Sequence, residues 1–114
     1  IVKENMNTAA DNLCLVAITP SNGFVFQYDW QGNGQINGHN GVYSQTQGYN
    51  NYLRLVRDGN TIIGYHKHND VTEWTETSRK YFATLPESLH IGLFAASHSY
   101  EYGTVVFDDF VISE

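Results

Sequence analysis

Few sulfur atoms and few prolines punctuate this chain. Its 114 residues hold one cysteine, one methionine and two prolines. A disulfide framework is therefore excluded, and a domain of this length must fold on a hydrophobic core alone. The lone cysteine, Cys14, sits inside Leu13-Cys14-Leu15-Val16-Ala17-Ile18 and reads as a small buried hydrophobe rather than a nucleophile. Positive charge is also scarce, with six Lys and Arg against twelve Asp and Glu and a net charge of −6. The basic residues are scattered, which argues against a nucleic-acid footprint and against anionic membranes. No apolar run approaches the roughly 20 residues of a spanning helix. No window keeps an amphipathic helical period over a dozen residues, and no repeat of fixed period is visible. Ile1-Val2-Lys3-Glu4-Asn5 is not a signal peptide, and the chain opens on a strand, so any export signal is expected upstream.

Aromatic residues, glycine and asparagine are abundant instead, a combination that predicts an all-β domain. The organising stretch is Tyr49 to Trp74. Arg57-Asp58-Gly59-Asn60 forms a tight turn in which Gly59 and Asn60 can take positive φ. Alternation then sends Leu53 and Leu55 to one face and Tyr52, Arg54 and Val56 to the other. On the return, Ile62, Gly64 and His66 oppose Ile63, Tyr65 and Lys67. One face is aliphatic. The other presents tyrosine, arginine and lysine, and Trp74 closes the unit after a polar turn at Asn69-Asp70.

Around this hairpin, Leu13 to Ile18 reads as a central strand covered on both faces and ends at Thr19-Pro20-Ser21-Asn22-Gly23. Phe24 to Trp30 alternates, with Phe24, Phe26 and Tyr28 on one face and Val25, Gln27 and Asp29 on the other. Gln31 to Gln47 is too polar for a core strand and is expected to be a long loop. Thr75 to Thr84 fits a strand better than a short helix. Leu89 to Ala95 reads as a buried strand, Ser97 to Gly103 as a polar aromatic loop, and Thr104 to Ile112 as a closing strand interrupted by Asp108 and Asp109. Six or seven short strands predict a two-sheet antiparallel jelly-roll sandwich. Such a sandwich normally needs more strands, so part of the domain is expected to lie outside this chain or to come from a partner.

The succession TPSNGFVFQY (Thr19 to Tyr28), YLRLVRDGNT (Tyr52 to Thr61), LPESLHIGLFAASH (Leu85 to His98) and VVFDDFVI (Val105 to Ile112) resembles the concanavalin A-like, laminin-G-like β-sandwich domains. The likeness is to the β-xylosidase C-terminal-like and regulation-of-enolase-like type, and it runs along nearly the whole chain from the opening VKENMN. Family members carry further N-terminal strands. Their Ser-x-Asp-Gly-x-x-Trp turn is replaced here by Lys67-His68-Asn69-Asp70-Val71-Thr72-Glu73-Trp74, which lacks the glycine. The resemblance implies an accessory module of a secreted, extracellular bacterial carbohydrate-active enzyme, either binding a polysaccharide or shaping the active site of a catalytic domain.

Sugar recognition requires flat aromatic faces for the apolar side of a pyranose and planar polar groups for paired hydroxyls. The candidates are Tyr52, Arg54 and Tyr65 on the hairpin, Gln27, Asp29 and Trp30 from a second strand, and His98 and Tyr100 from a loop. His66 and His68 share one strand face but lack a third ligand, so no zinc site is expected. One of Asp108 and Asp109 could join loop carbonyls around a structural calcium ion, which this class of sandwich admits; no other cofactor is expected. Gln35-Ile36-Asn37-Gly38-His39 is only loosely similar to the Gln-x-His of jelly-roll polysaccharide lyases, and its spacing differs. No two of Asp29, Glu73, Glu76 and Glu101 fall on strands that would face each other as a glycosidase pair. Three readings stand: a non-catalytic carbohydrate-binding module, a structural domain packed on a catalytic partner, and a lyase or hydrolase.

Overall fold

The computed structural model describes residues 1–5, 7, 11–46, 49–69, 73–96 and 102–113. These build strands β1 (Val2–Lys3), β2 (Leu13–Thr19), β3 (Gly23–Asp29), β4 (Gly38–Val42), β5 (Asn51–Asp58), β6 (Thr61–His68), β7 (Thr75–Tyr81) and β8 (His90–Ile91). Among the described residues there is no helix. All pairings are antiparallel, in a five-stranded sheet of order β4-β3-β2-β1-β8 and a three-stranded sheet of order β5-β6-β7. Strands β5 and β6 lie over β2, and β7 lies over β3 and β4, which makes a β-sandwich.

Local chemistry sets both long hairpins. Between β2 and β3, Gly23 takes φ 74°, and the Thr19 hydroxyl donates to Gly23 O (3.0 Å) while accepting Asn22 N–H (3.0 Å). This is a three-residue loop closed by a left-handed glycine. Between β5 and β6, Gly59 takes φ 60° and Asn60 does not share the positive φ, so the turn has the pattern of type II′.

The core gathers Val2, Cys14, Phe26, Ile62 and Phe82, with Tyr28, Leu55, Leu85 and Leu89 packed against it. Phe24 and Phe26 are fully buried, each contributing about 1.5–3 kcal/mol of hydrophobic stabilisation. Gly64 admits the Phe26 ring between the sheets: a Cβ there would stand 2.5 Å from Phe26 Cδ2. The Phe26 approach and the His66–Phe24 stack identify the inner face of the hairpin.

Three expectations are corrected. The polar stretch Gln31 to Gln47 contains an edge strand, β4, because Phe24 to Tyr28 offer a free ladder edge to which Gly38–Val42 pair regardless of polarity. The strand expected over Leu89 to Ala95 shrinks to His90 and Ile91, both exposed, since its partner β1 is itself only Val2–Lys3. Residues 102–113 contribute no strand at all. Asp109 adopts φ 53° and its N–H is accepted by Asp108 Oδ1 (2.9 Å), which breaks the apolar run in two. Thr75–Tyr81 is a strand, not a helix.

Candidate functional site

Counting outward from the Gly59-Asn60 turn pairs Arg54 with Tyr65 and Tyr52 with Lys67 across β5 and β6. Cross-strand partners share a face, so these four side chains stand together on the outward surface of the smaller sheet. Trp74, just before β7, joins them. The Arg54 guanidinium lies 5.6 Å from the Tyr65 ring centroid and 5.9 Å from that of Trp74. The Lys67 ammonium lies 5.2 Å from the Tyr52 centroid and 4.8 Å from Trp74. Both cations thus neighbour one indole, each also lying against a tyrosine, and each such contact is worth roughly 0.5–1 kcal/mol at an exposed site. Tyr52 is 38 % exposed and Arg54 is exposed, while Tyr65, Lys67 and Trp74 are half-buried.

Of the remaining cations, three engage polar partners, while Lys80 lies over the rings of Tyr28 (5.0 Å) and Trp30 (5.6 Å). Lys3 pairs with Asp11 (2.7 Å), Arg79 with Glu76, and Arg57 donates to the carbonyls of Gly59 (2.9 Å) and Glu87 (2.9 Å). Arg54 and Lys67 form no ion pair among the described residues. The Arg79 side chain, by hydrogen bonding and by charge, holds the Glu76 carboxyl below the ordinary range, so that acid is committed to its own partner.

Of the other sequence candidates, Gln27 belongs to the outward face of the larger sheet, on the opposite side of the sandwich, where its amide Nε2 meets His39 Nδ1 (2.8 Å). Asp29 is 0 % exposed and cannot meet a ligand. Its Oδ1 accepts N–H bonds from Gln31 (3.1 Å), Gly32 (2.8 Å), Asn33 (3.4 Å) and the Asn37 amide (3.2 Å), and its Oδ2 accepts from Gly34 (2.7 Å). Burial alone would raise its pKa. The hydrogen bonds from Gly34, Gly32, Asn33 and Asn37 outweigh that and lower it. Trp30 is 51 % exposed and stands apart from the hairpin face, at the rim between the sheets, with Lys80 5.6 Å from its ring. The two line an open cleft of ≈ 240 Å³ together with Asn12 and Tyr81. His98 and Tyr100 lie outside the described residues. Lys67 belongs to the face by simple alternation, and its register opposite Tyr52 was the available signal. Trp74 carries no such signal, because the path from Asn69 back to the sheet decides where it lands.

His66 and His68 point inward. His66 stacks on Phe24 (4.3 Å, 18°) with Nδ1 2.7 Å from Thr77 Oγ1, and His68 Nδ1 donates to Asn51 Oδ1 (2.8 Å) while Nε2 meets Ser44 Oγ (3.1 Å). They serve the inter-sheet packing. Among the described residues no three His, Cys, Asp or Glu side chains converge on a metal position. Asp108 and Asp109 are both exposed in the segment that forms no strand. Cys14 is buried, and burial pushes its thiol up to about 12. Set against protein-family models, curated proteins and solved structures, the chain matches none of them.

Proposed function

We propose that this domain is a non-catalytic carbohydrate-binding module with a concanavalin A-like jelly-roll fold, an accessory part of a secreted bacterial carbohydrate-active enzyme. One observation carries the reading: Tyr52, Arg54, Tyr65, Lys67 and Trp74 share one outward sheet face, and neither cation there has an ion-pair partner among the described residues. Aromatic rings beside fixed donor groups are the equipment for gripping a polyhydroxylated ring. Isothermal titration against a panel of neutral and acidic polysaccharides tests it. Binding that falls at least about tenfold in Trp74→Ala supports the module, given the usual worth of one stacked aromatic. Silence across the whole panel from a folded protein removes it.

A second reading, an interaction domain packed on a catalytic partner, is favoured by a separate observation. Val105, Val106, Phe107, Phe110, Val111 and Ile112 are all exposed, Val106 to 85 %. Apolar surface of this extent usually marks a contact with another protein segment.

A further inference from the structure

Resting on the glycan-binding reading, we infer that the β5–β6 face selects polysaccharides that carry negative charge, uronate carboxylates or sulfate esters, over neutral ones. Neutral sugars bind aromatic platforms through C–H contacts to bare ring faces. Here Arg54 stands over Tyr65 and Trp74, and Lys67 over Tyr52 and Trp74, so a ligand reaching the rings meets the cations first. Both cations neighbour the same indole, and like charges held close repel. An anion placed between them relieves that repulsion and accepts charge-assisted hydrogen bonds, while the sugar edge covers the exposed part of Tyr52.

A chain of net charge −6 repels polyanions in general. Attraction therefore has to be local. Among the described residues only two ion pairs occur, Lys3–Asp11 and Arg79–Glu76; the second stands on the same outward face, Glu76 being the cross-strand partner of Tyr65, but it takes in neither Arg54 nor Lys67.

The test is isothermal titration of the chain with oligogalacturonate, with a sulfated galactan and with neutral xylan, each at 50 mM and 500 mM salt, for the wild type, Arg54→Gln, Lys67→Gln and Lys80→Gln. The expected result is binding of an acidic glycan that weakens roughly tenfold with either hairpin substitution and also weakens at high salt, with xylan bound more weakly. Preference between the first two ligands assigns carboxylate or sulfate. Arg54 is exposed and Lys67 half-buried, and a melting temperature near wild type in at least one variant keeps the comparison valid. Salt-insensitive binding of xylan at equal strength overturns charge selection and leaves the carbohydrate reading intact. No binding of any glycan overturns both. A loss in Lys80→Gln as large as in Arg54→Gln overturns the assignment to this face and moves the site to the Trp30 rim.

Discussion

Asp29 spends both carboxylate oxygens on the loop that follows its strand, fixing the backbone from Gln31 to Gly34. In Asp29→Asn an amide N–H₂ would confront backbone N–H groups, and the loss should be about 2 kcal/mol or more by urea denaturation. The carboxyl pKa is lowered on folding, so its stabilisation is present above the unfolded value of about 3.9 and disappears as pH falls through the folded value. Asp29→Asn should flatten that acid limb. His66 acts at milder pH. Burial first, and then the charge of neighbouring His68, depress its pKa. Its neutral form is the folded one, so nothing is lost above the unfolded pKa of about 6.5, and stability declines as pH drops from there toward the folded value. Urea midpoints measured from pH 8 to pH 5 should fall in the wild type and stay flatter in His66→Gln.

The β5–β6 hairpin depends on two glycines for different reasons. Gly59 needs its positive φ but has open space around it, so Gly59→Val should cost about 1–2 kcal/mol through backbone strain alone. Gly64 has ordinary backbone but no room. In Gly64→Ala the new methyl meets the Phe26 ring, with Val16 Cβ 3.6 Å away, and overpacking of this kind should cost about 1–3 kcal/mol. Thermal unfolding of both variants, followed by near-UV circular dichroism, separates the two. Gly64→Ala should disturb the aromatic signal at low temperature and Gly59→Val should not.

The assembled sandwich leaves its C-terminal apolar segment in solvent. Replacing Val106, Phe107 and Phe110 together with serine should therefore change stability by no more than about 0.5 kcal/mol per site, the range of ordinary surface substitutions. Sedimentation equilibrium gives the complementary readout. If the segment is an interaction surface, the wild type should self-associate or bind a co-expressed domain of the same parent protein, and the triple variant should not. Identical behaviour of the two would remove the interaction reading.

Alternation and turn chemistry made much of this molecule readable in advance: the all-β class, the two long hairpins, the burial of Cys14, and the shared outward face of Tyr52, Arg54 and Tyr65. Each follows from period-two geometry or from glycine at a reversal, which are properties of neighbouring residues. Placement of Trp74 over both cations, the sealing of Asp29 inside its loop, the recruitment of Gly38–Val42 as an edge strand and the failure of 102–113 to pair depend on segments far apart in the chain. A strand requires a free ladder edge as well as a suitable pattern. Whether a given edge is taken up is settled by the segments that pack beside it, so the pattern VVFDDFVI could announce a strand that, among the described residues, pairs with no edge, its run broken at Asp109.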